Sequence, residues 1–149
     1  MGTHATPAKA FKPFTDTHRV VTFDARGSGR SGAVPPYTHA QWVDDWARLM
    51  DHFGDDRVIL TGGSYGGYIA QEFALAHPDR VSHLILRDTA ASHRFEAQAK
   101  RTALAQAERF AGITEDLLDM LFAGRVPSDE AFKEAFMTIA PLYDAKLDE

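Results

Sequence analysis

The sequence predicts an α/β fold: a parallel sheet of three strands with flanking helices, followed by an all-helical region. Three observations predict it. As far as Ala90, short β-branched and aliphatic runs alternate with amphipathic helical patterns. That order implies parallel strands joined by right-handed crossovers, with helices on both faces. Beyond Ala91 the strand pattern stops and three helical patterns follow one another. The 149 residues, 44% hydrophobic and 25% charged, suffice for one ordinary core. The expected division is residues 1–90, an α/β core, and residues 91–149, a helical region.

Taken in order, residues 1–17 are polar and proline-bearing, with little periodicity until Phe11 and Phe14. Residues 19–23, "RVVTF", read as a buried strand ending at Asp24 and a glycine-rich turn. Thr38 and Gln41 have capping-box spacing for a helix that carries Val43, Trp46, Met50 and Phe53 on one face, and Gly54 is its stop. Residues 58–61 form the second expected strand. Tyr65–Ala76 forms the next helix, closed by His77 and Pro78, and residues 81–86 the third strand, ending at Arg87, Asp88 and Thr89. The later helical patterns cover residues 95–110, Glu115–Phe122 and Asp129–Ile139. Gly112 and Gly124 end the first two, while Thr114 and Ser128 cap the second and third.

Composition excludes several functions. The net charge of −5 and the lack of a basic cluster offer nothing to nucleic acid or to an anionic membrane surface. The absence of cysteine removes disulfides, thiol catalysis and cysteine-ligated metals. Seven histidines show no tight ligand spacing, so neither a metal nor a cofactor is expected. No apolar run approaches a membrane span or a signal-peptide core, which makes a cytoplasmic location the default. No internal repeat is visible.

Two glycine motifs compete for the site. "GSGRSG", residues 27–32, fits a dinucleotide fingerprint and follows a strand pattern. The fingerprint needs a helix to start inside it, so that backbone N–H groups meet the pyrophosphate. Ala33, Val34, Pro35 and Pro36 follow instead and cannot be that helix. The motif is read as a structural turn.

"GGSYG", residues 62–66, fits G-x-S-x-G, with a strand before it and a helix after it. A serine on so sharp a turn needs a strained backbone and a close strand–helix approach, which favour Gly62 and Gly66, with Gly67 easing the next contact. The turn exposes the Ser64 hydroxyl above the C-terminal edge of the sheet. It also aims the Tyr65 N–H, at a helix N-terminus, at the place where an oxyanion would form. Ser64 as nucleophile and Tyr65 as oxyanion donor are the candidate catalytic residues.

"RVVTFDARGSGRSG", "VILTGGSYGGYIAQEFALAHPDRV" and "LILRDTA" together resemble the α/β-hydrolase superfamily, and in particular its proline iminopeptidase-like branch. There D-x-R-G-x-G-x-S precedes a G-G-S-x-G-G elbow at similar spacing. The resemblance implies a partial α/β-hydrolase parallel sheet, with the region after Ala91 as a helical cap. It also implies a serine hydrolase acting on small ester, amide or peptide substrates. The turn from Asp24 to Ser31 matches a structural element of the family, and Asp88 is taken as structural.

Two features of the family pattern lack counterparts in this sequence. No glycine-rich oxyanion loop precedes Phe11, and no strands after the cap region deliver the triad Asp and His. His18, His52, His77 and His83 sit at strand starts or helix ends away from the serine. His93 alone follows a strand's C-terminal end, on the side of the cleft, and is read as a solvated loop residue ahead of a base that reaches the serine. The expectation is an incomplete copy of a larger hydrolase. Residues 19–23 and the elbow strand would then either pair directly or leave backbone groups unmade. Such a chain would be marginally stable alone, with self-association or a complementing chain as its partner. The alternative to a serine hydrolase is an inactive fragment or a binding or assembly module.

Overall fold

A computed structural model of the protein describes residues 5–143. They belong to two compact units that divide between Ala91 and Ser92.

The first unit is built on a parallel pair of strands. β1 (Val58–Gly63) pairs with β2 (Val81–Arg87), with Leu60 opposite Leu84 and Gly63 opposite Arg87. Two helices precede and bridge the pair: α2 (His39–Phe53), which follows α1 (Ala5–Phe11), and α3 (Tyr65–Ala76), which makes the crossover. The capping signals act as expected, with one difference. Thr38 accepts from the Gln41 backbone N–H at 3.2 Å. The Gln41 side chain turns instead to Asp44 and Asp45, so only half of the capping box forms. Gly54 ends α2 in the left-handed conformation, φ 68°.

Val43 and Met50 from α2 meet Ile69 and Phe73 from α3 in a single core cluster, packed by Trp42, Trp46, Val58, Leu60 and Val81. Phe73 is fully buried. The spacing of these residues explains the packing. Val43 and Met50 are seven residues apart, and Ile69 and Phe73 are four apart, so each pair lies on one helical face.

The sheet has two strands among the described residues, not three. Residues 19–23 join no ladder and dock on α2 through side chains. Phe23 meets Trp46 edge-on at 5.7 Å. Arg19 bonds the Phe53 carbonyl and pairs with Asp55. The physical reason is that β-propensity supplies a strand's conformation, whereas a ladder needs a facing row of N–H and C=O groups. Of the two outcomes foreseen for this segment, direct pairing with the elbow strand does not occur. Val21, Phe23, Ile59, Leu84, Ile85 and Leu86 remain substantially exposed.

The helix α1 was not expected from the sequence. Pro7 lies in its first turn, where a missing N–H costs nothing, and Ala5, Ala8, Lys9 and Ala10 favour helix. The Arg87 guanidinium lies 5.5 Å over the Phe11 ring and ties this end of the chain to the end of β2.

The second unit is helical. A 3₁₀ turn, His93–Phe95, leads into α4 (Glu96–Leu104), followed by α5 (Glu115–Phe122) and α6 (Asp129–Ile139). Thr114 and Ser128 cap α5 and α6 through the Leu117 and Ala131 N–H groups. The first pattern, expected over residues 95–110, is regular helix only to Leu104. Beyond it, Gln106 and Ala107 bond carbonyls three residues back, and this tighter winding turns Ala107 and Phe110 onto the Ala103, Ile113 and Leu118 cluster. Gly112 and Gly124 lie beyond α4 and α5 with positive φ. No helix among the described residues is long and apolar enough to cross a membrane.

Candidate active site

The site begins where β1 runs out. Ser64 follows Gly63 with φ 51° and ψ −125°. This is the backbone of the first central residue of a type II′ turn, a position that normally takes glycine. The Ser64 N–H donates to the Arg87 carbonyl at 3.0 Å, and its own carbonyl accepts from the Gly67 N–H at 2.9 Å. Both backbone groups of the strained residue are therefore held, one by β2 and one by α3. Its side chain is exposed and makes no capping bond to α3.

The glycines around the serine serve two different close approaches. A Cβ on Gly62 would stand 2.4 Å from the Gly66 carbonyl oxygen and 2.7 Å from the Ala70 Cβ. A Cβ on Gly67 would stand 2.5 Å from Thr89. Gly66 departs from the sequence expectation, because a Cβ there meets nothing within 4 Å. The demand for a bare backbone after the serine thus falls on Gly67, where α3 passes the segment leaving β2. The Gln71 side chain fastens that approach by donating to the Gly67 and Ala90 carbonyls.

Tyr65 opens α3, so its N–H has no intrahelical acceptor and points out of the positive end of the helix dipole. Its phenol is held above the ordinary tyrosine value, first by burial and then by the negative charge of Glu72. Asp88 is the first residue past β2, as Ser64 is the first past β1, and it too has positive φ, 48°. Two strained residues therefore end adjacent strands at the same edge.

The histidines fall into place by register. His83 pairs opposite Ile59, at the far end of the strands from Ser64. His77 closes α3 against Phe73, and His52 lies beside Phe53 at the end of α2. His93 opens the 3₁₀ turn of the second unit. No hydrogen bond joins a histidine to the Ser64 hydroxyl among the described residues. His39 is the residue that sequence reasoning missed. Its ring bonds the Tyr65 hydroxyl at 2.8 Å and the Glu72 carboxylate at 2.6 Å. Only the seven-residue spacing of Tyr65 and Glu72 along one helical face hinted that they act together.

The glycine-rich turn before α2 is closed on itself. Asp24 accepts from the Arg30 N–H at 2.9 Å, and Ser31 donates back to the Asp24 carbonyl at 2.6 Å. Arg26 makes a two-pronged pair with Asp45, at 2.7 and 2.6 Å. That guanidinium bond holds the Asp45 carboxyl below the usual carboxylate range. The Trp42 indole donates to the Arg26 carbonyl. The next helix starts only at His39, so no helix begins inside this motif.

Residues 2–119 match the family model described as alpha/beta hydrolase fold. The chain is 37% identical to a proline iminopeptidase, PfmaB, of Pestalotiopsis fici, over 99% of this chain and 53% of that protein. A solved hydrolase from Pseudomonas aeruginosa superposes with a TM-score of 0.58 at 28% identity, covering 93% of this chain and 54% of the other. A thermophilic esterase from Thermogutta terrifontis does so with a TM-score of 0.58 at 29% identity, covering 88% and 48%. The chain spans about half the length of each of these relatives. With a strand, a positive-φ serine and a helix N-terminus in sequence at its edge, and a family match over most of its length, the chain belongs to the α/β-hydrolase family and is proline iminopeptidase-like in sequence.

Proposed function

We propose that the chain carries the nucleophile of a serine hydrolase, with Ser64 as the attacking residue and the Tyr65 N–H as one oxyanion donor. The single observation that carries this reading is the Ser64 backbone, held at φ 51° and ψ −125° on a strand-to-helix turn where glycine would be relaxed. Strain of that kind persists where exposure of the side chain is required.

In the proposed reaction the Ser64 Oγ bonds to the carbonyl carbon of an ester, amide or peptide, and its proton passes to a general base. The carbonyl oxygen becomes an oxyanion beside the Tyr65 N–H. Collapse breaks the bond to the alcohol or amine, which leaves with the proton, and water then hydrolyses the acyl-serine. Amides and peptides with an N-terminal proline-like residue enter as substrates through the iminopeptidase likeness, and small esters through the esterase likeness. The helical second unit is proposed as the cap that shapes this choice.

A fluorophosphonate probe tests the reading, with Ser64→Ala as control and the adduct located by mass spectrometry. A Ser64 adduct that is absent from the variant supports it. No adduct on a folded chain overturns it. The exposed apolar residues of the β1–β2 pair and the unpaired segment 19–23 favour a second reading, an assembly module without catalysis. Sedimentation velocity that shows only a monomer at every concentration would remove that second reading.

A further inference from the structure

The structure points to a carboxylate–imidazole–phenol array, Glu72–His39–Tyr65, and we infer that His39 and Glu72 are positioning residues for the elbow, acting through the Tyr65 ring. The inference rests on the nucleophile reading above, because Tyr65 matters as the residue that offers the oxyanion N–H.

The direction of the array follows from chemistry. A carboxylate can only accept, so the 2.6 Å contact places a proton on His39 Nδ1. In the neutral ring Nε2 then has a free lone pair, and the 2.8 Å contact is the Tyr65 hydroxyl donating to it. The raised phenol of Tyr65 keeps that proton in place to donate.

Ring contacts complete the hold on Tyr65. His39 stands edge-on to it at 5.4 Å and Trp42 edge-on at 5.8 Å. Trp42 is itself anchored to the Arg26 carbonyl in the glycine-rich turn. Tyr65 cannot swing without breaking a hydrogen bond and leaving two aromatic faces. Because its Cα is the first of α3 and its neighbour is the strained Ser64, fixing the ring limits rotation of the peptide that carries the oxyanion donor. The glycine-rich turn thereby acquires a connection to the elbow that its sequence does not advertise.

The test separates the two nitrogens. An asparagine amide reaches about where Nδ1 lies and a glutamine amide about where Nε2 lies. His39→Gln therefore keeps the Tyr65 bond, and His39→Asn keeps only the Glu72 bond. The rate of Ser64 phosphonylation is expected to fall roughly tenfold in His39→Asn and in Tyr65→Phe, and to recover most of its value in His39→Gln. The melting temperature should hardly move, since an array this exposed adds little stability.

In parallel, ¹⁵N-histidine NMR of the unaltered protein should show His39 protonated at Nδ1, with the signal displaced in Glu72→Gln. An Nε2-protonated His39 overturns the array whatever the labelling shows. Equal rates in His39→Asn and His39→Gln overturn the positioning role while leaving the nucleophile reading standing. The expected tautomer in a chain that takes no probe overturns the nucleophile reading, and the positioning role with it.

Discussion

Replacing Ser64 with glycine should make the protein more stable while removing its proposed chemistry. A side chain at φ 51° and ψ −125° costs about 1–3 kcal/mol, because its Cβ crowds the backbone. Glycine releases that strain but returns about 0.5–1 kcal/mol through the greater freedom of the unfolded chain. The serine hydroxyl makes no capping bond to α3, so losing it subtracts nothing of that kind. The expected net gain is about 1 kcal/mol, or roughly 3 °C in melting temperature for a chain of this size. Ser64→Ala keeps the Cβ and the strain, and should melt within about 1 °C of the original. Thermal melts followed by far-ultraviolet circular dichroism, with urea midpoints alongside, measure both. A Ser64→Gly variant that melts at or below Ser64→Ala would refute the argument that the elbow stores strain in this residue.

Three further outcomes are expected. Gly62→Ala should cost about 1–3 kcal/mol by urea denaturation, because the new methyl meets backbone and Ala70, whereas Gly66→Ala, in open space within α3, should be neutral or gain roughly 0.5 kcal/mol. Equal effects would show that the close approach has been misplaced. Phe73→Ala should remove about 3–5 kcal/mol from the first unit, and Leu75→Ala, which is 83% exposed, should stay within about 0.5 kcal/mol by the same assay. The Arg26–Asp45 pair sets an acid dependence. Because the folded carboxyl is depressed, its stabilisation is fully present above the ordinary aspartate value of about 3.9 and is lost as pH falls through the lower folded value. Stability measured against pH should lose part of its acid slope in Asp45→Asn, and an unchanged slope would contradict the pairing.

Much of this molecule was determined locally. Thr38, Thr114 and Ser128 start helices because a hydroxyl oxygen needs only the N–H three residues ahead, and Gly54 stops one because it alone relaxes at φ 68°. Tyr65–Ala76, Glu115–Phe122 and Asp129–Ile139 run as their periodicity indicates for the same reason: all their partners lie within one turn of chain. The sharp strand-to-helix turn at Ser64 was legible too, since strand, glycines, serine and helix are contiguous, but the close approach expected at Gly66 falls on Gly67.

Tertiary structure decided what depends on partners far away in sequence. Residues 19–23 have the composition of a strand, yet only a facing strand edge could make them one, and they dock on α2 by side chains instead. The helical pattern from Phe95 to Phe110 winds tighter after Leu104 because Ala107 and Phe110 must reach a cluster containing Ile113 and Leu118. His39 lies 26 residues from Tyr65, and no periodicity connects them. They meet because Val43 and Met50 on α2 bury against Ile69 and Phe73 on α3, and that packing brings the start of one helix beside the start of the other. Hydrogen bonds within a turn are written in the chain, whereas a bond between two helices exists only once their shared core has closed.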